Sequence, residues 1–201
     1  MSSRKVRLAR LTSNVFNPFL LSFLVIFLVS FHTAPGFGEA VKWSLISGGL
    51  SILPVLTIVI CLVKGGHLEG IFINARSQRH QIYLLAAACL GLSLVLLRFL
   101  GAPDLLVAAF LSGLVSVVVF MVINFKWKIS VHTGFISGSV TVLILIYGAA
   151  GLLTALLIPL TGWSRIALKR HSTAQVVTGG FVAAAIAFAV FYTSGLHQFY
   201  R

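Results

Sequence analysis

The chain has 201 residues, 59% of them hydrophobic and only 9% charged, with fifteen Lys and Arg against three acidic residues and a formal net charge of +12. That much apolar side chain exceeds what one soluble core can bury, which excludes a soluble globular domain and makes the lipid bilayer the solvent. The three acids, Glu39, Glu69 and Asp104, are too few and too scattered for the carboxylate clusters that hold magnesium or a catalytic metal pair, so neither a metal nor a cofactor is expected.

Apolar segments run over residues 15–32, 43–63, 81–100, 103–125, 133–148, 150–162 and 173–195. Most reach the roughly 20 residues a helix needs to cross about 30 Å of hydrocarbon. The first has no small-residue cleavage site and is followed by further spans, so it reads as an anchor rather than a removed signal. The fifth and sixth are short and flank Gly148-Ala149-Ala150-Gly151, which predicts a tight antiparallel hairpin over residues 133–162. The expected fold is therefore an all-α integral membrane protein. It is a polytopic helical bundle of about seven transmembrane segments, forming a single domain over residues 1–201.

Orientation follows from the cations. With seven crossings, the amino terminus shares one side with residues 64–80, 124–132 and 163–172. Those regions hold Arg4, Lys5, Arg7, Arg10, Lys64, Arg76, Arg79, Lys126, Lys128, Arg165, Lys169 and Arg170, and the other side keeps only Lys42, Arg98 and Arg201. The positive-inside rule then puts the amino terminus and the three polar loops in the cytoplasm, in an inner-type membrane of a bacterium or an organelle. Loop cations of this kind answer to membrane topology and anionic headgroups, and a nucleic-acid partner is not expected. Cys61 and Cys89 lie inside apolar runs and suggest no disulfide framework. Trp43, Trp127, Trp163, Tyr192 and Tyr200 fall near segment boundaries, as an aromatic belt would, and His32, His67, His80 and His197 read as interfacial polarity.

Two loops carry the chemistry. Lys126-Trp127-Lys128-Ile129-Ser130-Val131-His132 precedes the hairpin, and Ser164-Arg165 with His171 follows it. The hairpin brings both to one face, so His132 and His171 become neighbours among Lys128, Arg165 and the cations Arg76 and Arg79 of the second loop. Guanidinium groups bind phosphate oxygens bidentately, ammonium groups neutralise them, and backbone N–H groups at a helix start add partial positive charge. One imidazole can attack phosphorus while the other protonates the leaving oxygen.

These residues resemble the type 2 phosphatidic acid phosphatase family, membrane lipid phosphatases that share a helical core with vanadium haloperoxidases. The family pattern has a Lys-x6-Arg-Pro element, a Pro-Ser-Gly-His element and a Ser-Arg-x5-His-x3-Asp element. Here Ser164-Arg165 is followed after five residues by His171, and after three more by Gln175 in place of Asp. Ser130 and His132 match two letters of the second element; the first has no literal match, and Arg76, Arg79, Lys126 and Lys128 can supply similar cations. The resemblance spans about residues 76–180. It implies that His171 is the nucleophile of a phosphohistidine intermediate and His132 the general acid. Arg165, Ser130 and the basic residues would hold the phosphate of an amphiphile, either an isoprenyl or polyprenyl phosphate or phosphatidate.

The departure at Gln175 has a defined cost. The family Asp accepts from the nucleophilic imidazole, fixes its tautomer and stabilises its positive charge during attack. A Gln carbonyl can accept the same hydrogen bond but is neutral, and losing the charge removes on the order of several kcal/mol of transition-state stabilisation. The alternative expectation is a phosphatase-like membrane protein without turnover, which binds an anionic headgroup or scaffolds a partner.

Overall fold

The computed structural model describes residues 3–68 and 76–196, with the side chains of residues 76 and 77 outside that description. Glu69, His197, Tyr200 and Arg201, singled out from the sequence, lie outside the described residues. Helices and their connections account for all regular structure among the described residues. The chain divides into two compact units, residues 1–25 with 128–201 and residues 26–127.

The second unit contains α3 (Phe37–Lys64), α4 (Arg76–Phe99) and α5 (Asp104–Lys126), with α4 packed against both others. The inward face of α3 is small and polar, with Ser44, Ser47 and Ser51 buried and recurring at three- and four-residue intervals. Ser44 and Ser51 donate to the carbonyls four residues back at 2.8 and 2.7 Å, so burying these hydroxyls leaves their protons satisfied.

The first unit begins with α1 (Ser3–Val15), a helix absent from the sequence reading because its cations interrupt the apolar run. A single residue, Asn17, then ends α1 and starts α2 (Pro18–Thr33). Its side-chain NH2 donates to the Asn14 carbonyl at 2.6 Å, and its Oδ1 accepts from the Phe19 and Leu20 amides at 3.0 and 3.1 Å. Pro18 suits the first helical position, where no amide partner is lost. The axes of α1 and α2 differ by 44°.

Helix α6 (Val131–Tyr147) ends at Gly148, whose φ of 57° and ψ of −128° favour a residue without Cβ. The chain turns there through the short α7 (Ala149–Leu152) and a 3-10 turn (Leu153–Leu156) into α8 (Leu157–Ala167), which packs back along α6. The expected hairpin is thus present, with a second arm running continuously over Ala149–Ala167. Leu21, Ile136 and Val140 form its buried apolar centre, with Ile144, Leu157 and Ile158 around them. Helix α9 (Thr173–Thr193) lies parallel to α6, since Gly179 adjoins Ser130 and Thr133, Gly180 adjoins Ser137, and Ala183 adjoins Gly138.

Among the described residues five stretches are long and apolar enough to cross a membrane: Phe37–Lys64, Gln78–Phe99, Asp104–Lys126, Ala149–Ala167 and Thr173–Thr193; the bent α1–α2 pair, if counted as one span, is a sixth candidate. Helix α6 is shorter, at 17 residues. Their outer faces carry large apolar side chains, with Phe99 86%, Leu153 77% and Phe181 74% exposed. Water would make such a surface aggregate, whereas hydrocarbon solvates it. All-helical among the described residues, with this many apolar helices, the molecule is an integral membrane protein.

Candidate functional site

Close approach of α6 and α9 creates the site. A Cβ on Gly179 would stand 2.7 Å from the Ser130 carbonyl oxygen and 3.3 Å from Thr133 Oγ1, so only glycine lets the two backbones approach this closely. At that spacing the Ser130 amide donates to the Gln175 carbonyl at 3.3 Å, joining the start of α6 to the first turn of α9. Two helix amino termini therefore lie side by side, each with a partial positive charge.

Ser130 is the N-cap of α6. It is fully buried, and its Oγ accepts from the Thr133 amide at 3.4 Å. His132 follows in the first turn, 6% exposed. Ser172 caps α9 reciprocally with Gln175: the Gln175 amide donates to Ser172 Oγ at 3.3 Å, and the Ser172 amide donates to Gln175 Oε1 at 3.2 Å.

This box determines a proton position. A backbone N–H can only donate, so the Gln175 side-chain atom facing Ser172 must be the oxygen. The same Oε1 lies 3.1 Å from Nδ1 of His171, which is 7% exposed. Nδ1 must therefore carry hydrogen, and in the neutral ring Nε2 then bears the lone pair. Gln175 does for the tautomer what a carboxylate would do, without supplying charge.

Arg165 lies in the last turn of α8, 5% exposed, and donates from Nη1 to Ser13 Oγ of α1 at 2.6 Å. Ser164, also buried, donates to the Thr161 carbonyl at 2.7 Å. After α8 the Arg170 amide donates to the Arg165 carbonyl at 3.0 Å and the Lys169 amide to that of Ile166 at 2.9 Å, a helix stop that places Lys169 at φ 54°. Glycine is usual there, and Lys accepts the left-handed conformation at a cost of about 1 kcal/mol. The turn carries the chain from α8 to His171 in three residues' space between Leu168 and Ser172.

The structure thus brings Ser130, His132, His171 and Gln175 to one pair of helix starts. Lys128, half-buried, lies just before them. Lys126 ends α5, exposed, and Arg79 is buried in the first turn of α4; both belong to the other unit, as does Arg76, whose side chain is outside the described residues. Ser13 was not singled out from the sequence. Its signal was the small pair Ala9 and Ser13, four residues apart on a helix otherwise rich in cations. Among the described residues no three His, Cys, Asp or Glu side chains gather where a metal ion would sit. Glu39 pairs with Lys42, and Asp104 lies 3.5 Å from Arg98. Comparison of the chain with known protein families, with curated proteins and with solved structures finds no match.

Proposed function

We propose that the protein is a divergent member of the type 2 phosphatidic acid phosphatase family, a metal-independent membrane phosphatase. It acts on the phosphomonoester or diphosphate of an amphiphile, an isoprenyl or polyprenyl phosphate or phosphatidate. The observation that carries this reading is the buried His171, held by Gln175 Oε1 with its Nδ1 protonated, at a helix start joined to the one that bears His132.

In the proposed reaction His171 Nε2 attacks phosphorus as the bond to the leaving oxygen breaks, and His132 gives that oxygen its proton. Water then attacks the phosphohistidine, His132 takes a proton from it, and phosphate leaves with His171 restored. Ser130, the paired helix starts, Lys128 and Arg165 hold the phosphate oxygens. In this reading about seven segments cross the membrane, α6 included, and the amino terminus and the polar loops face the cytoplasm.

The neutral side chain of Gln175 favours a second reading, in which the site binds an anionic headgroup or scaffolds a partner without turnover. Phosphate release from a panel of lipid phosphates, in detergent with chelator present, separates the two. Release abolished by His171→Ala and by His132→Ala supports the phosphatase; release that survives them sinks its mechanism, and binding without release supports the second reading. For orientation, Ser3→Cys in a Cys61→Ser, Cys89→Ser background is shielded from an impermeant reagent in intact cells, and labelling there would invert the assignment.

A further inference from the structure

Helix α1 has two faces with different chemistry. Ala9, fully buried, and Ser13, 3% exposed, face inward as α1 packs on α8. Outward lie Leu8, Leu11 and Val15, 57%, 61% and 49% exposed. At about 100° per residue these three share one sector, with Arg7 on one flank, Lys5 on the other and Arg4 at its amino-terminal end. Arg10 is exposed as well, and the helix contains no acidic residue.

An apolar stripe edged by cations suits the boundary between headgroups and acyl chains. Two observations favour a lipid surface over a protein partner. The exposed charge is of one sign, which anionic headgroups complement at roughly a fivefold gain per cation. Exposed apolar side chains also follow beyond the Asn17 joint, with Leu20, Phe23 and Leu24 of α2 59%, 52% and 48% exposed, and α1 and α2 together are apolar enough to be a candidate membrane segment. Meanwhile Ser13 holds Arg165 from the inner face, and a hydroxyl fixes the guanidinium without neutralising it.

We propose that α1 docks on an anionic bilayer surface and that docking sets how firmly Ser13 positions Arg165 for phosphate. Ser13 is a positioning residue, and this half of the inference rests on the phosphate-binding reading given above. A surface that binds docked α1 stabilises its packing on α8 by linkage, so the hold on Arg165 tightens as bilayer charge rises.

The test uses the full chain with Cys61→Ser, Cys89→Ser and Leu11→Cys carrying a nitroxide, in nanodiscs of phosphatidylcholine alone or mixed with phosphatidylglycerol. Accessibility of the label to oxygen relative to a water-soluble nickel complex reads its depth, and inorganic phosphate binding reads the site. The label is expected deeper in anionic discs, and replacing Arg4, Lys5, Arg7 and Arg10 with Gln removes the difference. Without the label, Ser13→Ala weakens phosphate binding about tenfold in anionic discs and less in neutral ones, each ratio taken within one bilayer so that surface potential cancels. Equal label depth in both discs would overturn docking, and equal Ser13→Ala ratios would overturn the coupling. Absence of phosphate binding in every disc, with the label still deepening, would overturn the phosphate reading and the coupling together.

Discussion

The α6–α9 and α4–α5 pairs are built from similar residues, and they differ in how closely their backbones meet. In α4 and α5, a Cβ on Gly91 would meet nothing within 4 Å, and one on Gly113 only Leu90 Cδ1 at 4.0 Å. In α6 and α9, a Cβ on Gly138 would stand 3.6 Å from Ala183 Cβ, one on Gly180 2.8 Å from Ser137 Oγ, and one on Gly179 2.7 Å from the Ser130 carbonyl oxygen. Both pairs have a histidine near a helix start. His80 in α4 lies against the Phe125 ring, centroids 4.6 Å apart, while His171 is held through Nδ1 by Gln175. The lesson is that a capping residue can define the proton of a histidine at a helix end, as Gln175 does for His171, and here the capped helix is anchored by a glycine contact.

The sharpest way to break this comparison is to truncate both histidines. His171→Ala is expected to lower phosphate release from a lipid phosphate by at least about a thousandfold, and His80→Ala by no more than about twofold. Equal losses would erase the distinction between the two helix starts. Gly179→Ala drives a Cβ against a backbone oxygen and is expected to destabilise the protein by about 1–3 kcal/mol, read as a lower unfolding midpoint in detergent. Gly91→Ala, with open space around it, should leave the midpoint unchanged or raise it, because alanine favours a helix interior by up to about 1 kcal/mol.

Smaller effects sharpen the role of the cap. Gln175→Asp restores charge beside His171 while keeping an acceptor at the third helical position, and turnover should be equal or faster. Slower phosphate release with unchanged unfolding would contradict the orienting role given to residue 175. Lys169→Gly relieves the left-handed residue after α8 and should stabilise by up to about 1 kcal/mol, measured by the same unfolding midpoint. A fall in the midpoint would show that the Lys169 side chain contributes more than its backbone costs.

Much of the architecture was legible because hydrophobic length is a local property. The apolar runs at 43–63, 81–100, 103–125 and 173–195 correspond to α3, α4, α5 and α9 with ends shifted by a few residues, and Gly148 marks the hairpin turn. Helix α1 escaped because an interfacial helix has no long apolar run, only a stripe broken by Arg4, Lys5, Arg7 and Arg10. Residues Ser130, His132, Arg165, His171 and Gln175 could be selected from motif spacing, whereas Ser13 lies 152 residues from its partner and nothing local points to Arg165.

By itself the sequence determined the solvent of this protein and the approximate course of its apolar helices, because composition and hydrophobic periodicity need no partner in space. Only the tertiary structure decided which glycines permit close approach, that α6 and α9 start side by side, that Arg165 is held by α1, and that Gln175 Oε1 fixes the proton of His171. Each of those depends on a distance between segments remote in the chain, or on one atom serving two donors at once, and no spacing rule along the sequence contains that information.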